Sequence, residues 1–231
     1  MAGRNCLPAG AGPAAASPVS GAAALARWVP IVAAACFALL ALDVVLHGPL
    51  SRLDPAVSDW SALHRHPQLT SMMLALTGLH STLGVDLMAG LLVLVLLAAR
   101  RWREALVLLA CMQGGMLLNV AMKLAFQRGR PEAQHALVHL ATFSFPSGHA
   151  LAATVWWGSV LWLGWAGLRD TSVRLAALAM VIVLVALVAA SRVYLGAHYL
   201  TDVLAGCAEG VAWIGLCQWL SNRVAGGRFR Q

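Results

Sequence analysis

A histidine and an aspartate near the last apolar segment are suited to nucleophilic chemistry. His198 and Asp202 are four residues apart, so they share one face of a helix. A carboxylate in that position accepts a hydrogen bond from one ring nitrogen and leaves the other nitrogen free to attack. Arg192 lies six residues before His198, beyond a break expected at Gly196 that could turn its guanidinium toward the same oxyanion. Residues 192–202 therefore predict a nucleophile, a carboxylate that orients it, and a cation.

Two other polar segments carry residues suited to binding phosphate. Lys123 and Arg130 supply a point charge and a planar fork, the two common ways of holding phosphoryl oxygens. In the sequence Pro-Ser-Gly-His at 146–149, Gly148 permits close backbone approach, and a helix that starts there directs free N–H groups at an anion. Ser147 can add a hydroxyl donor or cap that helix. Three fixed cations can stabilise a phosphoryl-transfer transition state without magnesium.

The elements that carry these residues are apolar enough to lie in a membrane. The chain is 60% hydrophobic and 11% charged, whereas a soluble domain is about 45–50% apolar and about a quarter charged. Crossing a bilayer takes about 20 apolar residues. Runs of this kind predict six transmembrane helices, at roughly 28–47, 79–99, 104–126, 147–167, 174–194 and 199–220. We therefore expect an all-α polytopic membrane protein.

The ends of the chain differ in composition from this membrane domain, which is predicted to occupy residues 27–222. Residues 1–26 are rich in Ala, Gly, Pro and Ser, which predicts a disordered tail. Residues 223–231 are expected to form a basic tail. Five cysteines without paired spacing indicate neither a disulfide framework nor a zinc site.

The net charge of +7 is explained by membrane orientation, and no nucleic-acid partner is expected. With an even number of spans and both termini in the cytoplasm, ten Lys and Arg residues lie inside and six outside. This asymmetry follows the positive-inside rule. It places all three polar segments at the outer membrane face. The compact size and lack of long loops favour a bacterial inner (plasma) membrane, with the site facing the periplasm.

The three segments together resemble the signatures of the type 2 phosphatidic acid phosphatase (PAP2) family. Lys-x6-Arg-Pro at 123–131, Pro-Ser-Gly-His at 146–149 and Ser-Arg-x5-His-x3-Asp at 191–202 match in order, spacing and position at span ends. The resemblance implies a metal-independent membrane lipid phosphatase without a cofactor. Its helical core would be similar to that of vanadate-dependent haloperoxidases.

The same resemblance implies a role for eight of the signature residues. His198 would accept the phosphoryl group, Asp202 would orient it, and His149 would protonate the leaving group. The phosphoryl oxygens would be held by Lys123, Arg130, Ser147, the Gly148 amide and Arg192.

The expected reaction is hydrolysis of a phosphate monoester or diphosphate ester of a membrane lipid through a phosphohistidine. Candidate substrates are undecaprenyl diphosphate, phosphatidylglycerol phosphate, phosphatidic acid, diacylglycerol pyrophosphate and the lipid A phosphates. An alternative is a lipid-to-lipid phosphotransferase that uses the same phosphohistidine. A transporter would need charges near the membrane midplane, whereas here they gather at one edge.

Some polar residues and one segment fall outside the signatures. Arg128 is expected to make a surface or headgroup contact. The segment 48–78 is predicted to be the longest outer connection, which could roof the site or select the headgroup. No role is assigned to Asp86, and Asn119 and Glu209 are interpreted either as packing residues or as support for the site.

Overall fold

The computed structural model describes residues 18–131, 136–138 and 140–227, and every regular element in them is helical. The α-helices are α1 (Pro18–Val45), α2 (Asp54–Leu63), α3 (Pro67–Leu79), α4 (Thr82–Ala98), α5 (Trp102–Phe126), α6 (Gly148–Gly164), α7 (Thr171–Tyr194) and α8 (Leu200–Gly227). A 3-10 turn at Trp165–Gly167 follows α6. The all-α prediction is therefore confirmed for the described residues.

Long apolar helices make this an integral membrane protein. Four segments in the described part of the chain have the length and hydropathy of a span: Trp28–Val45, Trp102–Phe126, Thr171–Tyr194 and Leu200–Arg223. Helices α3 and α4 together form a fifth candidate, bent by 49° at the break between them. Helix α6 has only 17 residues. The described residues thus contain four or five candidate spans, where the sequence predicts six.

The ends of the helices extend beyond the predicted membrane domain. Helix α1 begins at Pro18, so residues 18–26, predicted as tail, are helical. Helix α8 continues to Gly227, into the predicted basic tail. Residues 1–17 and 228–231, which form the remainder of the two predicted tails, lie outside the described residues.

The segment 48–78 is mostly helical rather than an extended connection. Helices α2 and α3 each have proline in the first turn, where its missing N–H leaves no hydrogen bond unmade. Asp43 closes the turn before them, because its carboxylate accepts hydrogen bonds from the amides of Ser51 at 2.7 Å and Leu50 at 3.2 Å. Helix α2 packs on α7 and α8, and α3 packs on α7. Both helices therefore contact the elements that carry the third signature.

Close contact between α8 and α6 aligns two of the signature segments. A Cβ atom on Gly206 would lie 2.4 Å from the carbonyl oxygen of Ser147, and one on Gly210 would lie 2.8 Å from Cβ of Thr154. Small residues at this spacing let two membrane helices approach closely. A larger core of apolar side chains from α4, α5, α6 and α8 lies deeper in the bundle. The backbone of α8 is thereby held against the first turns of α6.

Candidate active site

Backbone hydrogen bonds join the three signature segments at one end of the bundle. The Ser144 amide donates to the Arg128 carbonyl at 2.8 Å, which links the segment before α6 to the end of α5. The Ser147 amide donates to the Asp202 carbonyl at 2.9 Å, which links the start of α6 to the start of α8. The segments that sequence separates are thus adjacent in space.

The turn between α7 and α8 has the break predicted at Gly196. Gly196 has φ 70°, in the left-handed region that favours glycine. The amides of Ala197 and His198 donate to the Arg192 carbonyl at 3.0 and 3.3 Å. This reversal places the imidazole directly beyond the last turn of α7.

His198 is buried between a cation and a carboxylate. Its Nε2 atom lies 3.4 Å from Nη1 of Arg130, and its Nδ1 atom lies 3.6 Å from Oδ2 of Asp202. The second distance exceeds a hydrogen bond, but it places the carboxylate on the Nδ1 side of the ring. His198 lies in the linker outside the spanning helices, and burial lowers its pKa to about 4, although Asp202 acts in the opposite direction. The imidazole is therefore neutral at pH 7.

Asp202 both faces His198 and caps its own helix. Its Oδ2 accepts hydrogen bonds from the Tyr199 amide at 2.9 Å and from the Ser144 hydroxyl. Tyr199 directly precedes α8 and Asp202 is the third residue of that helix, so this is the acidic half of a capping box. The cap fixes the direction in which the carboxylate points.

Lys123 and Arg130 converge on the segment that leads into α6. Both side chains donate to the Phe143 carbonyl, from Lys123 Nζ at 2.7 Å and from Arg130 Nη2 at 3.2 Å. Arg130 also donates to the carbonyls of Thr142 at 2.7 Å and Ala197 at 2.5 Å. These bonds hold the guanidinium beside the ring of His198.

Arg192 and His149 complete the group of charged and titratable residues. Arg192 is fully buried, and its Nη1 donates to the Thr77 hydroxyl on α3. Among the described residues, its Nε and Nη2 atoms have no hydrogen-bond partner. His149 lies within electrostatic range of both Arg192 and His198. His149 is the second residue of α6, two positions after the capping residue Ser147.

The turn at Ser147 and Gly148 rests on a buried polar pair. The Ser147 hydroxyl accepts from the Ala150 amide at 3.5 Å, so it lies in the capping position that the sequence offers as one alternative. Asn119 donates to Glu209 at 3.0 Å and lies under Gly148, where a Cβ atom would be 3.1 Å from its Oδ1. Asn119 and Glu209 are thus placed beneath the turn. Asp86 instead accepts from Gln113 at 3.3 Å, away from this turn.

The predicted surface contact of Arg128 is wrong. Its Nη1 lies 2.6 Å from Oδ1 of Asp202, and its Nη2 lies 2.7 Å from Oδ2 of Asp54. The guanidinium also lies over the ring of Tyr199, 4.5 Å from its centroid. Two buried carboxylates attract the cation inward, and the signatures give no sign of Asp54.

Three further residues of the site have weak sequence signals. Asp54 and Thr77 lie in the segment predicted as a connection, and each pairs with a residue more than 70 positions away. Thr201 is adjacent to Asp202, and its hydroxyl donates to Asp54. Asp54 precedes Pro55, a pair that suits the start of a helix, and this is the one local signal that could have marked it.

The arrangement is suited to phosphoryl transfer, with a neutral imidazole beside fixed cations. A family model described as the PAP2 superfamily matches residues 104–225, which include all eight candidate site residues of the three signatures. The chain belongs to this superfamily. Helices α1 to α4 lie before the matched region, and they include Asp54 and Thr77.

Curated relatives and a solved structure agree with this assignment. Phosphatidylglycerophosphatase B of Bacillus subtilis is 30% identical over 197 residues, which cover 83% of this chain and 94% of that protein. Decaprenylphosphoryl-5-phosphoribose phosphatase of Mycobacterium tuberculosis is 36% identical over 148 residues, or 61% of this chain and 75% of that protein. A crystal structure of a transmembrane PAP2-type phosphatidylglycerolphosphate phosphatase from Bacillus subtilis superimposes with a TM-score of 0.76 and 28% identity, covering 85% of this chain and 98% of that one. The protein is a PAP2-type membrane phosphatase, a hydrolase of phosphoric esters.

Proposed function

We propose that this PAP2-type phosphatase hydrolyses a phosphomonoester at the headgroup of a membrane lipid through a phosphohistidine on His198, with no metal ion. The observation that carries the proposal is the position of the imidazole, with Nε2 beside Arg130 and Nδ1 facing Asp202. A neutral ring held in this way presents a lone pair where a cation can hold the incoming phosphoryl group.

In the first step, Nε2 of His198 attacks phosphorus and the P–O bond to the lipid alcohol breaks. The leaving oxygen takes a proton from His149. Positive charge that develops on the imidazole is balanced by Asp202. The equatorial oxygens are held by Lys123, Arg130, Arg192, the Ser147 hydroxyl and the Gly148 amide.

In the second step, water replaces the lipid alcohol. Neutral His149 takes a proton from the water as its oxygen attacks phosphorus. The P–N bond breaks, its electron pair returns to Nε2 of His198, and inorganic phosphate leaves. His149 is then protonated again for the next cycle.

The names of the relatives support a particular class of lipid substrate. Phosphatidylglycerophosphate and decaprenylphosphoryl-5-phosphoribose both join a lipid, through a phosphodiester, to a small polyol that carries a terminal phosphate. We infer that this chain acts on the terminal phosphomonoester of a lipid of this class. Phosphatidylglycerophosphate is the first substrate to test, because that relative is matched over the larger share of both chains.

The proposed orientation places the site at the outer face of a bacterial inner membrane. We take the bent pair α3–α4 as one span and α6 as a short one, which gives six spans with both termini in the cytoplasm. Ten of the 16 Lys and Arg residues then lie on the cytoplasmic side, in accord with the positive-inside rule. Labelling of single cysteines introduced at exposed Trp60 and Arg101, in intact cells with a membrane-impermeant reagent, tests this orientation.

The experiment that tests the activity is phosphate release from a lipid panel by purified protein in detergent with EDTA. Phosphatidylglycerophosphate is expected to have the highest kcat/KM, above phosphatidic acid and undecaprenyl diphosphate. His198→Ala should abolish release, whereas His64→Ala, which changes an exposed histidine, should not. Activity of His198→Ala equal to that of the wild type would overturn the mechanism. Transfer of phosphate to a second lipid, in place of free phosphate, would identify a phosphotransferase.

A further inference from the structure

Arg128 bridges two buried carboxylates that come from distant parts of the chain. Its Nη1 is 2.6 Å from Asp202, and its Nη2 is 2.7 Å from Asp54. Nη1 also donates to the Thr201 hydroxyl at 2.8 Å. Charge-assisted hydrogen bonds of this length are among the strongest side-chain contacts. The position of the Asp202 carboxylate is thus tied to a residue on α2.

Asp54 also holds the start of α8 directly. Its Oδ1 accepts from the Thr201 amide at 3.1 Å, and its Oδ2 accepts from the Thr201 hydroxyl as well as from Arg128. Thr201 is the second residue of α8, so a carboxylate here lies at the positive end of the helix dipole. Asp54 is buried although it belongs to a short helix at the edge of the bundle. Both of its oxygens therefore act on the element that carries Asp202.

We propose that Asp54 is a positioning residue for the phosphatase reaction, acting on Asp202 through Arg128 and through Thr201. The proposal rests on the roles assigned above to His198 and Asp202. Asp202 must stay charged and face Nδ1 as positive charge develops on the imidazole. The guanidinium of Arg128 pairs with Asp54 as well as with Asp202. Arg128 therefore does not neutralise Asp202 completely and does not draw it away from the imidazole of His198.

A purely structural role for Asp54 makes a different prediction. Loss of a mere fold contact would lower the melting temperature and the amount of active protein, but it would leave kcat per folded molecule unchanged. A positioning role lowers kcat while KM for the lipid stays the same, because Asp54 does not contact the phosphoryl group. The two roles are therefore separated by the split between kcat and KM, measured on protein whose folded fraction is known.

The test uses Asp54→Asn, Arg128→Gln and the double variant in the full-length protein. Asp54→Asn keeps the shape of the side chain and should lower kcat by about tenfold to a hundredfold, the size expected for one hydrogen bond to a charged group. Because Asp54 acts largely through Arg128, the same change in the Arg128→Gln background should lower kcat by less. Asp170→Asn is the matched control, since Asp170 caps α7 at the end away from the site. Its kcat should equal that of the wild type.

Two outcomes would overturn the proposal. One is a wild-type kcat for Asp54→Asn, and the other is an equal effect of that change with and without Arg128. If Asp54→Asn does not fold, Thr201→Val tests the route through Thr201, because it removes the hydroxyl that contacts both Asp54 and Arg128 and leaves their direct ion pair. Its kcat should fall with KM unchanged, and a wild-type kcat would overturn that route. An inactive His198→Ala together with a fully active Asp54→Asn would refute the positioning role alone. An active His198→Ala would refute the catalytic mechanism itself.

Discussion

Nη1 of Arg130 lies 3.4 Å from Nε2 of His198, although the two residues are 68 positions apart in the chain. A guanidinium can donate hydrogen bonds but cannot accept them, so the facing nitrogen must carry the lone pair. The ring proton is then on Nδ1, on the side of Asp202. This contact assigns the tautomer that a nucleophilic Nε2 requires, and it does so with a cation that can also hold a phosphoryl oxygen.

The buried state of His198 predicts how stability depends on pH. Burial lowers its pKa from 6.5 to about 4, so below pH 6.5 the unfolded chain binds a proton that the folded protein does not. Stability therefore falls as the pH decreases through this window and is unaffected by His198 above it. His198→Gln removes the titrating group and should flatten this part of the curve. The melting temperatures of both proteins in detergent, measured between pH 7 and pH 4, check the sign, and parallel curves would contradict it.

His149 is expected to matter most when the leaving group is poor. Protonation by a histidine contributes about 10²–10⁴-fold to rate, so His149→Ala should lower kcat/KM, which reports only the first chemical step, by that factor for a lipid alcohol. For p-nitrophenyl phosphate, whose leaving group needs little protonation, the loss should be much smaller. Phosphate release from the two substrates in EDTA gives the comparison, with His64→Ala as control. An equal loss on both would show that His149 does not act as the general acid.

Thr77 lies before the region that the family model matches, and it is predicted to hold the side chain of Arg192 in place. Its hydroxyl accepts from Nη1 of Arg192, so Thr77→Val should leave that buried N–H unpaired and lower kcat/KM by about tenfold. Thr77→Ser retains the hydroxyl and should restore most of the activity. Thr70→Val is a control on the same helix, because Thr70 contacts Tyr194 instead. Equal kcat/KM for Thr77→Val and wild type would remove Thr77 from the site.

The signature residues could be located from sequence because their spacing is local and their chemistry is specific. The structure places His198 two residues before α8, not on the helical face predicted for it with Asp202. The two residues are still close because they are near in sequence, and Lys123 and Arg130 flank one helix end, so position along the chain already indicates position in space. Arg128 could not be assigned in this way. Its partner Asp54 is 74 residues away, on a helix of 10 residues that is too short for a hydropathy pattern to reveal.

The last prediction concerns the distance between α6 and α8. A Cβ atom on Gly206 would lie 2.4 Å from the Ser147 carbonyl, so Gly206→Ala must move α8 away from the turn that carries Gly148. Overpacking of this kind destabilises by about 1–3 kcal/mol, and the displaced turn should lower kcat/KM by at least about tenfold. Gly90→Ala is the matched control, because no atom lies within 4 Å of its added Cβ and alanine favours the helix. Melting temperature and phosphate release measured together check both effects. If Gly206→Ala and Gly90→Ala had the same melting temperature and the same kcat/KM, the close contact between α6 and α8 would not position the site.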